Sequence, residues 1–323
     1  MTRASGYIVQ QDGIHGLSCS NSLINIIALG GKMAIKGLRI IGESINDSVA
    51  TTHKLYESND IQGIMDLARG QDERGASYID INIGDRAPKF MAEIVKAVQS
   101  VTSKPLSIDT PDHDTALAGL LAYDAIKAGG ELPIMNSITP LRIEMFELYS
   151  HVPFIPIFIF SERLENGKPR HNRTPAETVE TGRDLIRMAA ESRFPIGNDT
   201  LILDPGIGSI ASDTESMLNR VLGTMEILHA DPEFHGAHFS VGLSNFSHML
   251  PSKKSDGTPV KSALESAFLT RAMPLGLNMV IGSTKRNYEI LPEGHPALQC
   301  LDDARRDGGY ESLERVMEFY TEE

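Results

Sequence analysis

Carboxylate and amide side chains stand at the ends of six short apolar runs in this sequence. In chain order these groups are Glu43 with Asn46, Asp80 with Asn82, Asp109, Asn136 with Ser137, Asp204, and Asn245. A single aspartate or asparagine at such a place often caps the next helix, because both side chains accept backbone N–H groups. Six such ends with no lysine among them instead predict a binding site for a neutral ligand. A carboxylate takes two N–H donors from one ligand edge, and an amide donates and accepts at once, so the set suits an amino-pyrimidinone heterocycle.

Other kinds of site have weaker support. The close pair His235 and His238 precedes an apolar run and is interpreted as a surface pair, so no metal site is predicted. The segment DPGIGS at 204–209 has two glycines but lacks the spacing of a phosphate-binding P-loop. No G-x-S-x-G sequence occurs, and neither Cys19 nor Cys300 ends an apolar run, so a serine or cysteine nucleophile is not predicted.

The alternation of apolar runs with amphipathic segments predicts the fold. Eight runs have the length and composition of strands buried on both faces: 38–43, 77–84, 105–110, 132–138, 152–160, 200–207, 238–245 and 278–283. The segments 61–76 and 174–192 carry apolar residues at helical spacing, and Thr174 followed by Pro175 and Glu177 is typical of a helix start. This pattern predicts a (β/α)8 TIM barrel, in which the carboxyl ends of the strands, and hence the six polar sets, meet at one mouth.

The composition disfavours several classes of protein. A total of 43 acidic and 30 basic residues gives a formal charge of −13, which disfavours a nucleic-acid partner because phosphate binding needs clustered lysine and arginine. No apolar run reaches the roughly 20 residues needed to span a membrane, and the N-terminus lacks the pattern of a secretory signal. With only two cysteines among 323 residues, no disulfide framework is indicated, and a cytoplasmic location is expected.

Residues 1–36 lie outside the repeat and are predicted to form an N-terminal extension. This extension either covers the bottom of the barrel or precedes a natural start at Met33, where MAIKGLRIIGE reads like a protein that begins at its first strand. No linker or change of composition divides the rest of the chain. Residues 37–323 are therefore predicted to form one barrel domain that ends in a C-terminal helix.

Six motifs carry a resemblance to a known family. They are IGESIN at 41–46, YIDINIG at 78–84, SIDT at 107–110, IMNS at 134–137, ILDPGIG at 202–208 and VGLSN at 241–245. In this order the motifs resemble those of the pterin-binding barrels, and within them those of the methyltetrahydrofolate–corrinoid protein methyltransferases. The resemblance covers about residues 38–290. It implies that Asp109, Asn136 and Asp204 bind the pterin and that Asn245 lies beside N5 of the pterin.

The other polar residues of these motifs receive supporting roles from the resemblance. Asp80 and Asn82 either contact the ligand or orient its contacts. Residues assigned to the rim or to a supporting layer are Glu43, Asn46, Ser137, Gly206 and His248. His248 stands where the resemblance implies glutamine, and it either exchanges a proton with N5 or merely lies at the rim.

The resemblance also implies a reaction. A methyl group would move between N5 of tetrahydrofolate and the cobalt of a corrinoid carried by a partner protein, in a direction that the sequence leaves open. A pterin substrate, a homodimer and no bound metal are implied as well. One alternative is a dihydropteroate synthase, but GDRAPKF at 84–90 and VGLSNFS at 241–247 replace the S-T-R-P and S-R-K segments expected there. Another alternative is a non-catalytic folate-binding barrel.

Overall fold

Eight parallel strands enclose a barrel. The computed structural model describes residues 27–29, 32–192, 194 and 197–321. The strands in chain order are β1 (Ile27–Leu29), β2 (Lys32–Ala34), β3 (Arg39–Asn46), β4 (Tyr78–Asn82), β5 (Leu106–Asp109), β6 (Ile134–Ile138), β7 (Ile155–Ile159), β8 (Glu162–Glu165), β9 (Lys168–His171), β10 (Ile202–Asp204), β11 (His238–Phe239) and β12 (Met279–Gly282). β1 with β2 and β8 with β9 form antiparallel hairpins. The other eight strands pair in parallel around the barrel. Two parallel bridges, Phe239 with Leu277 and Gly242 with Ile281, join β11 and the residues after it to β12 and the residues before it. The predicted (β/α)8 barrel is therefore confirmed.

Helices follow the barrel strands. They are α1 (Ala50–Glu57), α2 (Ile61–Glu73), α3 (Pro88–Val98), α4 (His113–Ala122), α5 (Pro175–Glu191), α6 (Met217–Ala230), α7 (Leu243–Phe246), α8 (Lys261–Ala272), α9 (Pro296–Asp307) and α10 (Gly309–Thr321). Short 3-10 helices lie at Ile143–Ser150, Asn198–Thr200, Ile210–Ser212, Pro232–Phe234 and Met273–Leu275. The helix start predicted at Thr174 is confirmed, because its hydroxyl accepts from the Glu177 amide and the Glu177 carboxylate accepts from the Thr174 amide, both at 3.2 Å.

The two-residue period of the strands decides which side chains enter the barrel. An apolar cluster fills its interior and consists of Ile41, Tyr78, Ile134, Ile157, Ile202 and Met279. Successive side chains alternate between the two faces of a strand, so the residue two positions further on also faces inward, one layer nearer the carboxyl end. In four strands that residue is Glu43, Asp80, Asn136 or Asp204. A polar layer therefore lies directly above an apolar one.

The seventh barrel strand is shorter than predicted. β11 contains only two residues, and the chain then turns at Gly242 into the single helical turn of α7. Leu243 and Phe246, three residues apart, are both fully buried, which is the spacing of a helix face and not of a strand. The prediction that Asn245 ends a strand is therefore wrong, since Asn245 lies on α7.

The predicted N-terminal extension lies outside the described residues, apart from the β1–β2 hairpin and residues 35–36. The assignment of 37–323 to one domain stays a prediction. Among the described helices, none is long and apolar enough to cross a membrane.

Candidate active site

A cavity of about 600 Å3 opens at the carboxyl ends of the barrel strands. Eight of the residues singled out in the sequence line it: Glu43, Asn46, Asp80, Asp109, Asn136, Asp204, Gly206 and Asn245. Apolar side chains complete the wall, namely Ile159, Ile207, Met217 and Ile281. Apolar walls with a few convergent polar groups are typical of sites that bind a small organic ligand. The structure thus brings these residues together, while the role of each stays a prediction.

Two pairs of an amide with a carboxylate lie next to each other in this cavity. Asn136 Nδ2 donates to Asp80 Oδ1 at 3.4 Å, and Asn82 Nδ2 donates to Asp109 Oδ2 at 3.0 Å. Burial raises the pKa of Asp80 well above its usual range, and the adjacent charge of Asp109 raises it further. Burial also raises the pKa of Asp109, against the lowering effects of Asn82 and the charge of Arg142. The pair therefore retains a proton to higher pH than two exposed aspartates do.

Asp204 presents a different carboxylate. The amide of Gly206 donates to its Oδ1 at 2.8 Å, and the Ser240 hydroxyl donates to its Oδ2 at 2.9 Å. Burial raises the pKa of Asp204 to about 6, although both hydrogen bonds lower it. Asp204 is therefore mostly ionised at neutral pH and able to accept further N–H donors.

Arg220, which the sequence analysis did not identify, holds the loop after Asp204. Its two terminal nitrogens donate to the carbonyls of Pro205 and Gly206, each at 2.6 Å. Gly206 has φ +68°, and a Cβ there would lie 2.6 Å from the Ser161 Cβ, so the loop passes close to Ser161. The signal in the sequence that could have indicated such a role is a single arginine within the mostly apolar run of α6, which the structure shows to be buried.

Asn245 lies in the segment after β11, the strand that pairs with β10 in the barrel. Among the described residues, its side chain forms no hydrogen bond, and it is exposed to the cavity. The adjacent Ser244 donates its hydroxyl to Glu43 Oε1 on β3. A Cβ at Gly242 would lie 2.8 Å from Asn245 Nδ2, so only glycine leaves this amide its present position. The side-chain amide of Asn245 therefore faces the cavity with its donors and its acceptor available to a ligand.

Three of the predicted residues lie outside the lining of the cavity. Asn82 does not line the cavity, but its side chain donates to Asp109, which does. The hydroxyl of Ser137 accepts from Arg142 at 3.2 Å. His248 is exposed, and its backbone makes two contacts: its N–H donates to the Asn245 carbonyl at 3.0 Å, and its carbonyl accepts from the Ser209 hydroxyl.

The β8–β9 hairpin contributes residues that the sequence analysis did not find. His171, Asn172 and Arg173 at its end line the cavity together with Glu215. Asn172 is buried and donates to the Phe160 carbonyl at 2.9 Å, which ties the hairpin to the end of β7. No periodicity in the sequence marked this hairpin, because its pairing is local and neither strand has a buried face.

A second network, of buried hydrogen bonds and an ion pair, contacts the residue that follows α7. The Ser247 hydroxyl donates to Glu265 Oε1, and Arg286 forms an ion pair with the same carboxylate. Arg286 Nη1 also donates to Ser247 Oγ at 3.0 Å. Glu265 is fully buried, so this carboxylate depends on Arg286 and Ser247 for the interactions that water would otherwise provide. Among the described residues, no group of three or more side chains is arranged to hold a metal ion.

Comparison with known proteins gives one family and a consistent fold. Residues 46–282 match the pterin binding enzyme family. The chain is 27% identical over 253 residues to the methylcorrinoid:tetrahydrofolate methyltransferase of Eubacterium limosum, and the match covers 75% of this chain and 83% of that relative.

Solved structures of dihydropteroate synthase from Thermus thermophilus have the same fold. One has a TM-score of 0.53 at 18% identity and covers 78% of this chain and 89% of its own. A complex of that enzyme with 6HMPPP has a TM-score of 0.51 at 18% identity, with 76% and 87% covered. The family match spans the barrel from the end of β3 to the end of β12. The chain therefore belongs to the pterin-binding enzyme family, as its six motifs predicted.

Proposed function

We propose that this protein transfers a methyl group between N5 of tetrahydrofolate and the cobalt of a corrinoid carried by a partner protein. The observation that carries the proposal is the amide of Asn245, which faces the pterin cavity without a protein partner among the described residues. The methyltransferase relative, named for methylcorrinoid and tetrahydrofolate, supports it. The likeness to dihydropteroate synthases supports the fold alone.

The arrangement of polar groups suggests how the pterin binds. The ionised carboxylate of Asp204 accepts the N–H donors of the amino-pyrimidinone edge, and Asp109 with Asn136 completes the contacts to that ring. N5 then lies against Asn245. An apolar wall that includes Ile159 and Ile281 is available to the faces of the ring.

Methyl transfer in this site is mainly a matter of positioning and charge. When neutral N5 of tetrahydrofolate attacks the methyl group, its lone pair forms the N–C bond, and the electron pair of the Co–C bond stays on cobalt. N5 becomes positively charged and then loses its proton. The carbonyl oxygen of the Asn245 amide accepts a hydrogen bond from that protonated nitrogen, so it stabilises the charge that develops there. In the reverse direction the same contact favours protonation of N5 before the methyl group leaves. Holding N5, methyl and cobalt in line supplies the rest of the rate.

A dihydropteroate synthase reaction fits the cavity less well, because a pyrophosphate leaving group needs free cations. Two arginines line the cavity in the described part of the chain, and both are engaged by the protein. Arg220 donates to two loop carbonyls, and Arg173 pairs with Glu215 at 3.2 Å. The segment VGLSNFS at 241–247, which stands in place of the expected S-R-K, contains no lysine or arginine.

Pterin affinity is expected to fall as the pH is lowered through the pKa of Asp204, about 6. The protonated carboxyl accepts fewer N–H donors, so binding favours the ionised form. Between pH 7.5 and pH 5.5 the ionised fraction of such a group drops about fourfold, and the association constant should drop with it. Titration calorimetry with tetrahydrofolate measures this.

In Asp204→Asn this part of the pH dependence should disappear. Asp199→Asn, at the opposite end of the barrel, is the matched control and should retain it. A pH dependence in Asp204→Asn equal to that of the unmodified protein would contradict the assignment.

Anaerobic incubation of the protein with methylcobalamin and tetrahydrofolate tests the proposed function. The cobalt spectrum reports loss of the methyl group, and chromatography detects 5-methyltetrahydrofolate. Product that depends on the enzyme is the expected result. Tetrahydrofolate binding without product, both with free methylcobalamin and with methylated corrinoid protein, would instead support the folate-binding barrel. Lack of binding would contradict the pterin site itself. A homodimer and a cytoplasmic location stay predictions.

A further inference from the structure

Glu43 is the carboxyl group that the structure connects to the segment bearing Asn245. It lies on β3 and lines the same cavity. The hydroxyl of Ser244, the residue before Asn245, donates to Glu43 Oε1. This hydrogen bond joins β3 to α7. In the sequence analysis Glu43 was assigned only to the rim or to a supporting layer.

We propose that Glu43 exchanges the proton with N5 of the folate. This inference rests on the proposed methyl transfer. When N5 attacks the methyl group, the N–C bond forms and the Co–C electron pair remains on cobalt. The proton of the resulting ammonium then passes to the Glu43 carboxylate and from there to water. In the reverse direction the Glu43 carboxyl donates a proton to N5, and the methyl group leaves to Co(I).

The carboxyl groups of the cavity differ in which segments of the chain they contact. Both oxygens of Asp204 accept hydrogen bonds, from Gly206 and from Ser240. Asp80 is 1% exposed and accepts from an asparagine, as does Asp109. Among the described residues, Glu43 accepts one hydrogen bond, from Ser244. Because that bond comes from the residue next to Asn245, Glu43 is the cavity carboxyl placed to exchange a proton at the position where N5 would lie.

The surroundings of Glu43 raise its pKa, which favours a group that must both accept and return a proton. Burial raises the pKa of Glu43, while the hydrogen bond from Ser244 and the charge of Arg286 lower it. The other titratable groups that interact with it are Asp80 on β4 and Tyr288 after β12. A carboxyl group with a raised pKa is a more effective acid or base near neutral pH than an exposed one.

A purely structural role for Glu43 makes a different prediction, which two variants separate. In Glu43→Gln the side-chain oxygen still accepts the Ser244 hydrogen bond, but proton exchange is lost. In Ser244→Ala the hydrogen bond is lost, but the carboxyl remains. Because that bond lowers the pKa of Glu43, its removal should shift the ionisation of Glu43 to higher pH.

The experiment measures single-turnover methyl transfer from methylcobalamin to tetrahydrofolate as a function of pH. Glu43→Gln should lower the rate about 100-fold, within the range typical of a lost general base, with little change in tetrahydrofolate affinity. Its profile should lack the rise that accompanies ionisation of Glu43. In Ser244→Ala that rise should remain and move to higher pH, because the carboxyl is still present, even where the maximal rate falls with the loss of the contact that holds α7. Glu180→Gln, an exposed residue of α5, is the matched control for the loss of one charge.

A second measurement is independent of turnover. The ultraviolet spectrum of a tetrahydropterin changes when N5 gains a proton, so the pKa of N5 in bound 5-methyltetrahydrofolate is measurable. Glu43→Gln should shift this pKa, because the variant removes the group that shares the proton.

The outcomes distinguish the inference from the function on which it rests. A wild-type rate and an unchanged N5 pKa in Glu43→Gln, with a loss of rate at every pH in Ser244→Ala, would overturn proton exchange and leave a structural contact. Failure of the unmodified protein to transfer methyl would overturn the proposed function. A shift of the N5 pKa in Glu43→Gln would in that case still support the contact between Glu43 and N5.

Discussion

Replacing Asn245 with alanine is expected to lower the rate of methyl transfer about 100-fold, with a much smaller effect on pterin affinity. In the proposed complex Asp204 and Asp109 would still bind the ring edge, whereas the charge that develops on N5 would lose its hydrogen-bonding partner. Removing one such preorganised group typically costs a factor of about 10²–10³ in the rate of the chemical step. Single-turnover kinetics with methylcobalamin measures the rate, and calorimetry with tetrahydrofolate measures the affinity.

Gln62→Ala is the matched control, because it removes an exposed amide on α2 far from the cavity. It should leave both quantities unchanged. A loss of affinity in Asn245→Ala as large as the loss of rate would contradict the role at N5, because it would mean that Asn245 binds the ground state and the transition state equally.

Replacing Glu265 with alanine is expected to lower the free energy of unfolding by about 3 kcal/mol, since it leaves Arg286 without its carboxylate in a largely buried place. Arg286 is 24% exposed, so the cost should lie at the lower end of the range for buried pairs. Guanidinium unfolding followed by circular dichroism measures this change. The midpoint of thermal unfolding should fall by roughly 4–5 °C.

Asp184→Ala is the control for this prediction. It breaks an exposed pair with Arg187 on α5, at 2.8 Å, and should cost less than about 1 kcal/mol. The double variant Glu265→Leu with Arg286→Leu should recover part of the loss, because no charge then remains buried alone. Equal losses in Glu265→Ala and Asp184→Ala would show that the buried pair contributes no more than a surface pair.

The buried network of Glu265 also helps to hold the turn that carries Asn245 at the cavity. Ser247 follows α7 directly and donates to Glu265, while Ser244 within α7 donates to Glu43. The single turn that carries Asn245 is thus held on both sides by carboxylates from distant parts of the chain. A helical turn of four residues has too few internal hydrogen bonds to be stable by itself. These contacts therefore fix the amide at the cavity.

The local pattern of the sequence was sufficient for the barrel and for eight of the residues that line the cavity. Apolar runs that end in polar or turn-forming residues predict parallel strands. The two-residue period of a strand then places every second side chain inside the barrel. Once the strands are parallel, their carboxyl ends must meet at one mouth. That geometry explains why Asp80, Asp109, Asn136 and Asp204 were found together without any contact information.

The position of Asn245 shows where the local pattern fails. The run VGLSN has the composition of a strand, yet the chain leaves the sheet at Gly242 and buries Leu243 and Phe246 on one face of a turn. Short apolar runs fit a strand and a helical turn equally well, and only packing against neighbouring segments decides between them.

What the sequence by itself determined, then, was the order of the strands, the inward layer of carboxylates and amides, and the family. What only the tertiary structure decided was how those groups are held: Arg220 on the Asp204 loop, Asn172 at the end of β7, and the pairs of Ser244 with Glu43 and Ser247 with Glu265. The last two pairs join residues 201 and 18 positions apart. Contacts across such separations leave no periodic trace in a single sequence, because they depend on where the folded chain brings its segments together.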